Sequence, residues 1–464
     1  MIDMACPILQ GARRDPENLA LISSDAELTY RELNGMVEKC LLSLTANGIV
    51  AGNRVGLHAV TNIDTVVSLF ALARLGATVC LLNTRWPPAE LKAVVDMLHV
   101  EFILNERGDL AHKSSGIATT RSESGVVFFT SGSSALPKAA LLSFANLIYN
   151  AAGSNERIPL DDDSCWVLSL PLFHVGGVGI LYRSFLAGGA VAIPKQGESL
   201  ASSISRLTPT HLSVVHTQLW RLLKDESFTI RKWPVCLLGG GPTTSELIAF
   251  AVSRGILLHA SYGLTEMGSQ VTTTHAIGES ADPSMTGSAL PYRKVQIFPS
   301  GEICVAGETL FQGYLTDSGL DSSRDESGWL HTGDIGEWSA DGSLRILGRK
   351  DNQFVSGGEN IHPEAIEAVL MSTPGIETAM VVPQGDIEFG KRPVAFIAPE
   401  GSESLRRRTV DYAQQILADR LPGYMHPIAW YALPAEWQSG GIKPRRRELM
   451  ELLKRPKDLI PPAP

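Results

Sequence analysis

Short apolar runs alternate with amphipathic stretches between residues 54 and 104, and this alternation constrains the fold more than any other feature of the chain. The sequence predicts strands at 54–59, 77–82 and 102–104. It predicts helices between them, at 63–75 and after Pro88. Because parallel strands need a crossover connection, this order predicts a parallel sheet covered by helices.

The same alternation of apolar runs and amphipathic stretches recurs further along, with buried-strand patterns at 167–170 and 235–238. It ends near Gly301. From there to Lys350, dense turn signals predict short antiparallel strands. The last part predicts a helix at 363–371, strands at 378–383 and 393–399, and a helix at 405–421. We therefore predict an α/β protein. Residues 1–350 would form a large N-terminal domain of parallel-type sheets plus a β-rich part, and residues 351–464 a small, mobile C-terminal α+β domain.

Composition limits the classes of partner. Of 464 residues, 44% are hydrophobic and 19% charged, which fits a folded protein with a large interior. The net charge of −9 argues against a nucleic-acid partner, because phosphate binding needs basic surface. Six scattered cysteines without a CxxC pair indicate neither a zinc site nor a redox dithiol. We find neither a secretory signal nor a membrane span and expect a cytoplasmic protein, with a homo-oligomer left open.

The segment TSGSSALPK, residues 130–138, combines the groups that bind polyphosphate. Glycine frees backbone amides, hydroxyls donate hydrogen bonds, and one ammonium adds positive charge. The residues concerned are Thr130, Ser131, Gly132, Ser133, Ser134 and Lys138. A polar surface turn has the same composition, so composition alone leaves both interpretations open.

The segment resembles the signature loop of the adenylate-forming superfamily, which includes acyl-CoA synthetases, luciferases and adenylation domains of peptide synthetases. Members usually carry a Thr-Gly pair where this chain has Ser134 and Ala135. Serine keeps the hydroxyl, whereas the alanine Cβ restricts a loop that glycine would leave free. The resemblance implies an enzyme that uses ATP, Mg²⁺ and coenzyme A to activate a carboxylic acid.

Further segments resemble the family's blocks in the family's order, over nearly the whole chain. By resemblance, Gly239, Gly240 and Gly241 would pack on adenine, although a flexible turn is the alternative. SYGLTE, 261–266, would add Ser261, Tyr262 and Gly263 around the nucleotide. In the same block Thr265 would contact the α-phosphate, and Glu266 would bind the metal and serve catalysis.

Three later positions complete the resemblance. Asp334 in TGD and Arg349 in GRKD would bind ribose, and Asp351 would be the hinge of the small domain. Lys443 in GGIKPRRREL occupies the place of the family's mobile catalytic lysine, where a cation stabilises charge in the transition state. A solvated run of charges is the alternative for this segment, and it is what we expect of Arg445, Arg446 and Arg447.

Several segments, among them LSLPLFHVGGVGI, HTQLWRLL, FGKRPVA and the GGIKPRR ending, resemble the o-succinylbenzoate–CoA ligases of menaquinone biosynthesis. Such a substrate keeps a spare carboxylate, which needs a donor or a cation. We expect His174, Thr217, Arg221 and Gly263 to bind the acid, with His174 also catalytic. A core histidine and a surface arginine are the alternatives for His174 and Arg221. A ligase for another aryl or medium-chain acid, an adenylation enzyme that loads a carrier protein, and a degenerate adenylate-binding protein remain open.

Overall fold

The protein is described by a computed structural model that covers residues 4, 6–113, 124–130, 137–225, 227–317, 319–356, 359–399, 403–434 and 446–455. The helices are α1 (Pro7–Arg14), α2 (Tyr30–Ala46), α3 (Ile63–Leu75), α4 (Pro88–Met97), α5 (Phe144–Arg157), α6 (Val175–Ala187), α7 (Leu200–Leu207), α8 (His216–Lys224), α9 (Ser245–Ser253), α10 (Pro363–Met371), α11 (Glu403–Arg420) and α12 (Arg446–Leu453). No helix of the described ranges is long and apolar enough to cross a bilayer.

Strands occur throughout the chain. They are β1 (Leu19–Ile22), β2 (Glu27–Thr29), β3 (Arg54–His58), β4 (Thr78–Leu82), β5 (Phe102–Leu104), β6 (Leu110–Lys113), β7 (Gly125–Thr130), β8 (Lys138–Leu142), β9 (Cys165–Val167), β10 (Ala190–Ala192), β11 (His211–Val214), β12 (Val235–Leu238), β13 (Leu258–Leu264), β14 (Ser269–Thr273), β15 (Ser288–Ala289), β16 (Lys294–Ile297), β17 (Glu302–Ala306), β18 (Gly313–Thr316), β19 (Gly319–Asp321), β20 (Leu330–Trp338), β21 (Leu344–Arg349), β22 (Phe354–Ser356), β23 (Glu359–Ile361), β24 (Ile376–Asp386), β25 (Gly390–Pro399) and β26 (Trp430–Ala432).

Two large sheets form the N-terminal part, and both have parallel centres, as the alternation predicts. One has the order β19-β18-β8-β7-β4-β3-β5-β6, with β7, β4, β3 and β5 parallel. The other has the order β15-β14-β13-β12-β11-β9-β10-β1-β2, with parallel pairing from β13 to β1. Helix α3 is apolar nearly all round because it is buried between layers.

Local sequence fixes the ends of several helices as expected. The Thr29 side chain accepts from the Glu32 backbone N–H, and the Glu32 side chain accepts from the Thr29 backbone N–H, so a capping box begins α2. Helix α3 begins after Asn62, whose side chain accepts from the Thr65 N–H, and it ends at Gly76 with φ 76°.

The strand predicted at 167–170 is wrong in extent, because β9 stops at Val167. Pro171, which has no N–H to continue a ladder, follows within the segment, and its carbonyl accepts from the His174 N–H in a turn that leads into α6. The early end of β9 therefore places His174 at the N-terminus of a helix rather than beside a strand.

The β-rich part is the antiparallel sheet β16-β17-β20-β21, as the dense turns predict. The small C-terminal part packs α10 against the antiparallel hairpin β24–β25, which is completed by β26. This hairpin extends beyond the strands predicted at 378–383 and 393–399. Pro383 and Pro393 face each other, and a pair without N–H groups fits only a non-hydrogen-bonded position of the ladder, so the strands continue through it.

Candidate active site

The carboxyl ends of β9, β11, β12 and β13 meet at one edge of the nine-stranded sheet, since these strands are parallel neighbours. Ligands of open α/β sheets bind at this edge, because the loops that follow the strands converge there. The segments predicted to bind ligands follow directly: His174 after β9, Thr217 in α8 after β11, and Gly239–Gly241 after β12.

Tyr262, Asp334 and Arg349 form a hydrogen-bonded cluster. The Tyr262 hydroxyl donates to Asp334 Oδ2 at 2.6 Å, and Arg349 Nη1 donates to Asp334 Oδ1 at 2.8 Å. Asp334 and Arg349 are register partners across β20 and β21, so the sheet itself holds the ion pair together. Burial, with the Asp334 charge adding to it, raises the pKa of Tyr262, so the phenol stays a donor.

Each Asp334 oxygen receives one bond in this cluster, and a carboxylate oxygen has two lone pairs. Two acceptor positions therefore remain for the pair of ribose hydroxyls that the sequence predicts here. Arg349 also donates to the Thr332 carbonyl at 2.9 Å, and its Nη2 lies 3.3 Å from Asp351 Oδ2. Asp351 is exposed in a single 3₁₀ turn, Lys350–Asn352, which joins the two parts of the chain.

Two of the glycines at this edge, Gly240 and Gly263, occupy positions that other residues would fit poorly. A Cβ on Gly263 would come within 1.9 Å of the Ser269 carbonyl oxygen, because β13 bulges against β14 at this point. Gly240 has φ 81°, and a Cβ on Gly239 would face the Ser261 carbonyl at 3.5 Å. Gly240, Gly241 and Gly263 are exposed, so their backbone is open to the close approach of a flat ligand.

Glu266, Tyr314 and Lys138 form a second cluster, and the sequence analysis did not find Tyr314. The Tyr314 hydroxyl donates to Glu266 Oε1 at 2.5 Å, and the Lys138 ammonium lies 4.9 Å from the centroid of the Tyr314 ring. Burial, with the Glu266 charge second, raises the pKa of Tyr314 far above its usual range. No motif pointed to Tyr314, since its strand pairs with the loop-bearing strand β8 only in the fold.

The residues present fit a magnesium ion that takes one carboxylate ligand from the protein and its other ligands from water and substrate phosphates. Among the described residues, Glu266 Oε2 makes no hydrogen bond or ion pair, and no group of three His, Cys, Asp or Glu side chains could hold a metal. Mg²⁺ is usually bound by one or two carboxylates plus substrate phosphates and water, rather than by an all-protein cage. A single open carboxylate near Lys138, at the end of the hairpin predicted to bind phosphate, is such an arrangement.

The two clusters belong to one site. Tyr262 lies near the end of β13, and Glu266 lies in the 3₁₀ turn that follows directly, so one short segment carries a residue of each cluster. Thr265 stands between the clusters in sequence and begins the 3₁₀ turn Thr265–Met267, which Gly268 closes at φ 71°. The segment 262–266 thus links the Asp334 carboxylate, through Tyr262, with the Glu266 carboxylate and, through Tyr314, the Lys138 ammonium.

His174 is exposed to solvent at the N-cap of α6, although protein atoms crowd around its ring. This crowding, followed by the Arg85 charge, lowers its pKa, so the imidazole is neutral at pH 7. Its ring packs edge-on against Phe173 with centroids 4.7 Å apart. His174 is therefore not a core histidine, and it can donate one hydrogen bond or stack.

Thr217 and Arg221 lie one turn apart on α8, as predicted, and both are exposed. Within the described ranges, neither side chain makes a hydrogen bond or ion pair. Helix α8 is tied to the His174 segment by Gln218, which donates to the Ser169 carbonyl at 3.3 Å. The structure thus joins the two predicted acid-binding segments without bringing Arg221 into contact with His174.

Two guanidiniums are buried behind this edge without a carboxylate in contact among the described residues. Arg183 donates to Gln270 Oε1 at 2.7 Å and stacks over Trp166, while Arg293 donates to the Gln270 carbonyl at 2.9 Å. Burial lowers the pKa of each to about 9, which leaves both charged at neutral pH. Asn150 donates to the Met267 carbonyl at 2.8 Å, so this network also stiffens the chain after Glu266.

Several predicted site residues lie outside the described residues, namely Ser131, Gly132, Ser133, Ser134, Ala135 and Lys443. Their flanks are described: Thr130 pairs with Lys138 at the end of the β7–β8 hairpin. Arg446 corrects the expectation of a solvated charge run. It donates to both oxygens of the buried Glu367, at 2.6 and 2.5 Å, because α12 docks on α10 and β24.

Comparison with known proteins agrees with this geometry. The AMP-binding enzyme family matches residues 9–124 and 120–315, and the AMP-binding enzyme C-terminal domain matches residues 365–435. The chain belongs to the AMP-binding enzyme family. Membership gives the adenylate-forming fold with a large N-terminal and a small C-terminal domain, as predicted, and the chemistry of an acid–thiol ligase.

Relatives within the AMP-binding enzyme family match over nearly the whole chain. The 2-succinylbenzoate–CoA ligase of Escherichia coli (strain K12) is 35% identical over 95% of this chain and 96% of its own. Wild-type E. coli MenE with a bound analogue of OSB-AMS superposes with a TM-score of 0.80 at 32% identity, covering 98% of this chain and 100% of that one. The Bacillus subtilis o-succinylbenzoate coenzyme A synthetase in complex with ATP and magnesium has a TM-score of 0.80 at 27% identity, covering 92% and 95%.

Proposed function

We propose that this protein is a cytoplasmic, AMP-forming 2-succinylbenzoate–CoA ligase, which converts o-succinylbenzoate to o-succinylbenzoyl-CoA for menaquinone synthesis. The observation that carries the adenylation step is the cluster of Tyr262, Asp334 and Arg349 beside Glu266 and Lys138. The relatives named above support the choice of acid.

In the first half-reaction the substrate carboxylate attacks the α-phosphorus of ATP. The bond from the α-phosphorus to the oxygen that bridges to the β-phosphate breaks, so pyrophosphate leaves and the acyl-adenylate forms. No general base is required, because a carboxylic acid is already ionised at neutral pH. Asp334 and Arg349 would hold the ribose, while Gly239–Gly241 and Tyr262 would receive adenine. Magnesium bound through Glu266 would offset charge on the phosphates.

Charge also builds on the reacting phosphate, and this chain offers cations and hydroxyls for it. Lys138, Thr265 and the hydroxyls of the 130–134 loop would contact the phosphates, and Lys443 would stabilise the transition state. The catalytic work is mainly positioning and electrostatics.

In the second half-reaction the coenzyme A thiolate attacks the acyl carbonyl, the acyl–oxygen bond breaks, and AMP leaves. We propose that the small domain, residues 351–464, turns about Asp351 between the two steps and withdraws Lys443. The 3₁₀ turn at Lys350–Asn352 supports this, since none of its residues is buried.

One further observation favours a substrate with a second negative charge. Helix α6 directly follows His174 and carries Arg183, and neither Arg183 nor Arg293 is neutralised by a contacting carboxylate among the described residues. Uncompensated buried cations attract an anion, because a low dielectric screens them weakly. Together with His174, Thr217, Arg221 and the open backbone at Gly263, they fit a dicarboxylate better than a simple aryl acid.

A panel of acids tests this proposal. Acid-dependent exchange of pyrophosphate into ATP and formation of a CoA thioester are measured with o-succinylbenzoate and with benzoylpropionate, which lacks only the ring carboxylate. We expect o-succinylbenzoate to be preferred by at least about 100-fold in kcat/KM, since an unpaired buried charge costs several kcal/mol. Equal rates would contradict the dicarboxylate assignment. Binding of ATP without exchange for any acid would instead favour a degenerate adenylate-binding protein.

A further inference from the structure

Tyr314 contacts both charged groups of the phosphate side of the site. Its hydroxyl donates to Glu266 Oε1 at 2.5 Å, and its ring lies 4.9 Å from the Lys138 ammonium. Strand β18 places it there, because Tyr314 pairs with Ala140 and therefore shares a face of the sheet with Lys138, two residues earlier on β8. The Tyr314 side chain thus links the β7–β8 hairpin, which carries Lys138, to the predicted metal ligand Glu266.

The segment around Tyr314 holds Glu266 at two points. The Phe311 N–H donates to the Glu266 carbonyl at 2.7 Å, which fixes the backbone, while the Tyr314 hydroxyl fixes the carboxylate. The Phe311 and Tyr314 rings meet edge-on with centroids 4.9 Å apart, and Arg324 donates to the Phe311 carbonyl. A rigid support of this kind sets the direction of a carboxylate more narrowly than solvent would.

Orientation matters here because the protein offers few other ligands. Among the described residues no three metal-binding side chains come together, so a metal at Glu266 takes its remaining ligands from ATP and water. With Oε1 held by Tyr314, Oε2 is the oxygen that accepts no hydrogen bond from the described residues. The phenol therefore fixes the direction in which the Glu266 carboxylate points.

We propose that Tyr314 is a positioning residue that presents Glu266 Oε2 to the ATP-bound metal and, through its ring, seats Lys138 beside the same phosphates. This inference rests on the proposed ATP-dependent function. Its two parts use different atoms of one side chain. The hydroxyl orients the Glu266 carboxylate, and the ring positions the Lys138 ammonium.

Two substitutions separate these parts. Tyr314→Phe keeps the ring under Lys138 and removes only the hydroxyl, whereas Tyr314→Leu removes both. Tyr149→Phe is the matched control, because Tyr149 packs against Tyr292 in the same domain and its hydroxyl makes no hydrogen bond among the described residues.

Binding is measured with ATP alone, without acid, so that no turnover occurs. Manganese–ATP is titrated with detection of the Mn²⁺ resonance, and metal-free ATP is titrated in EDTA by calorimetry. We expect Tyr314→Phe to weaken manganese–ATP by about tenfold and to leave metal-free ATP unchanged, since only the bond to a charged oxygen is lost. We expect Tyr314→Leu to weaken both, and Tyr149→Phe to weaken neither.

A double-mutant cycle closes the test. In a Glu266→Gln background, Tyr314→Phe should have no further effect on manganese–ATP, because the group it positions has changed. Wild-type affinity in Tyr314→Phe, equal losses with and without metal, or additivity in the cycle would each overturn the proposal. Failure of the proposed function is distinguishable: the wild type would then bind manganese–ATP and still exchange no pyrophosphate with any acid.

Discussion

Loss of the Arg446 side chain should destabilise the small domain in a pH-dependent way. Arg446 contacts both oxygens of Glu367 at 2.6 and 2.5 Å, and its other terminal nitrogen lies 3.1 Å from Glu364 Oε1. The Arg446 and Glu367 side chains are 19% and 9% exposed, so the pair is largely removed from water. Among the described residues, Arg446→Ala would leave Glu367 with the Val381 N–H as its one donor.

Breaking a buried ion pair costs about 3–5 kcal/mol, because the remaining charge stays desolvated. Arg446 retains some solvent contact, so we take the lower end, about 3 kcal/mol. At about 1.4 kcal/mol per factor of ten, amide exchange limited by opening of this domain should accelerate by about 100-fold.

The pH dependence follows from the buried carboxyl. Burial raises the pKa of Glu367 above its unfolded value, and the Arg446 charge opposes that rise. A raised carboxyl pKa penalises the folded state as pH rises, and the penalty is absent below the unfolded pKa. Removal of Arg446 raises this pKa further. The difference in free energy of unfolding between wild type and Arg446→Ala should therefore increase as pH rises through the wild-type pKa of Glu367.

Hydrogen exchange followed by mass spectrometry on the full chain measures this at several pH values, after correction for intrinsic exchange. Peptides from α10 and β24 report the effect, and peptides from β3 and β4 in the large domain serve as an internal reference. Arg447→Ala is the matched control, since Arg447 is exposed. Equal protection in the two arginine variants, or a gap that stays constant with pH, would refute the reasoning.

Other substitutions test the proposed roles of individual residues. Lys443→Ala should lower acid-dependent pyrophosphate exchange by about 100-fold or more, yet spare thioester formation from added acyl-adenylate; intact exchange would contradict this. Asp351→Pro should do the reverse, sparing exchange and blocking thioester formation, whereas equal loss of both would argue against a hinge. Asp334→Asn should raise the KM for ATP about tenfold, since a charged partner of Arg349 is lost, with the KM for the acid as the unchanged reference. Ala135→Gly should lower the KM for ATP in steady-state assays if the Cβ restricts the phosphate loop, and an unchanged KM would show that it does not.

Much of the fold follows from local pattern. Periodicity predicted the parallel centres of both large sheets and gave α3 and α10 with their observed bounds, because apolar spacing and capping residues act over a few neighbours. The predicted ends of strands were less accurate, because the length of a strand depends on pairing with residues far away in the sequence. Strand β24 runs past Pro383 since Pro393 faces it across the hairpin, and no local signal reveals that partner.

The candidate site likewise contains residues that the sequence indicated and contacts that only the fold creates. The sequence by itself indicated ATP chemistry, because Glu266, Asp334 and Arg349 stand in segments that resemble the blocks of the adenylate-forming superfamily. Only the tertiary structure brought Tyr314 onto Glu266 and turned Arg446 from an apparent surface charge into the partner of a buried carboxylate. Both contacts join elements far apart in the chain, and hydrogen bonds of this kind depend on burial and direction, which a linear pattern does not encode.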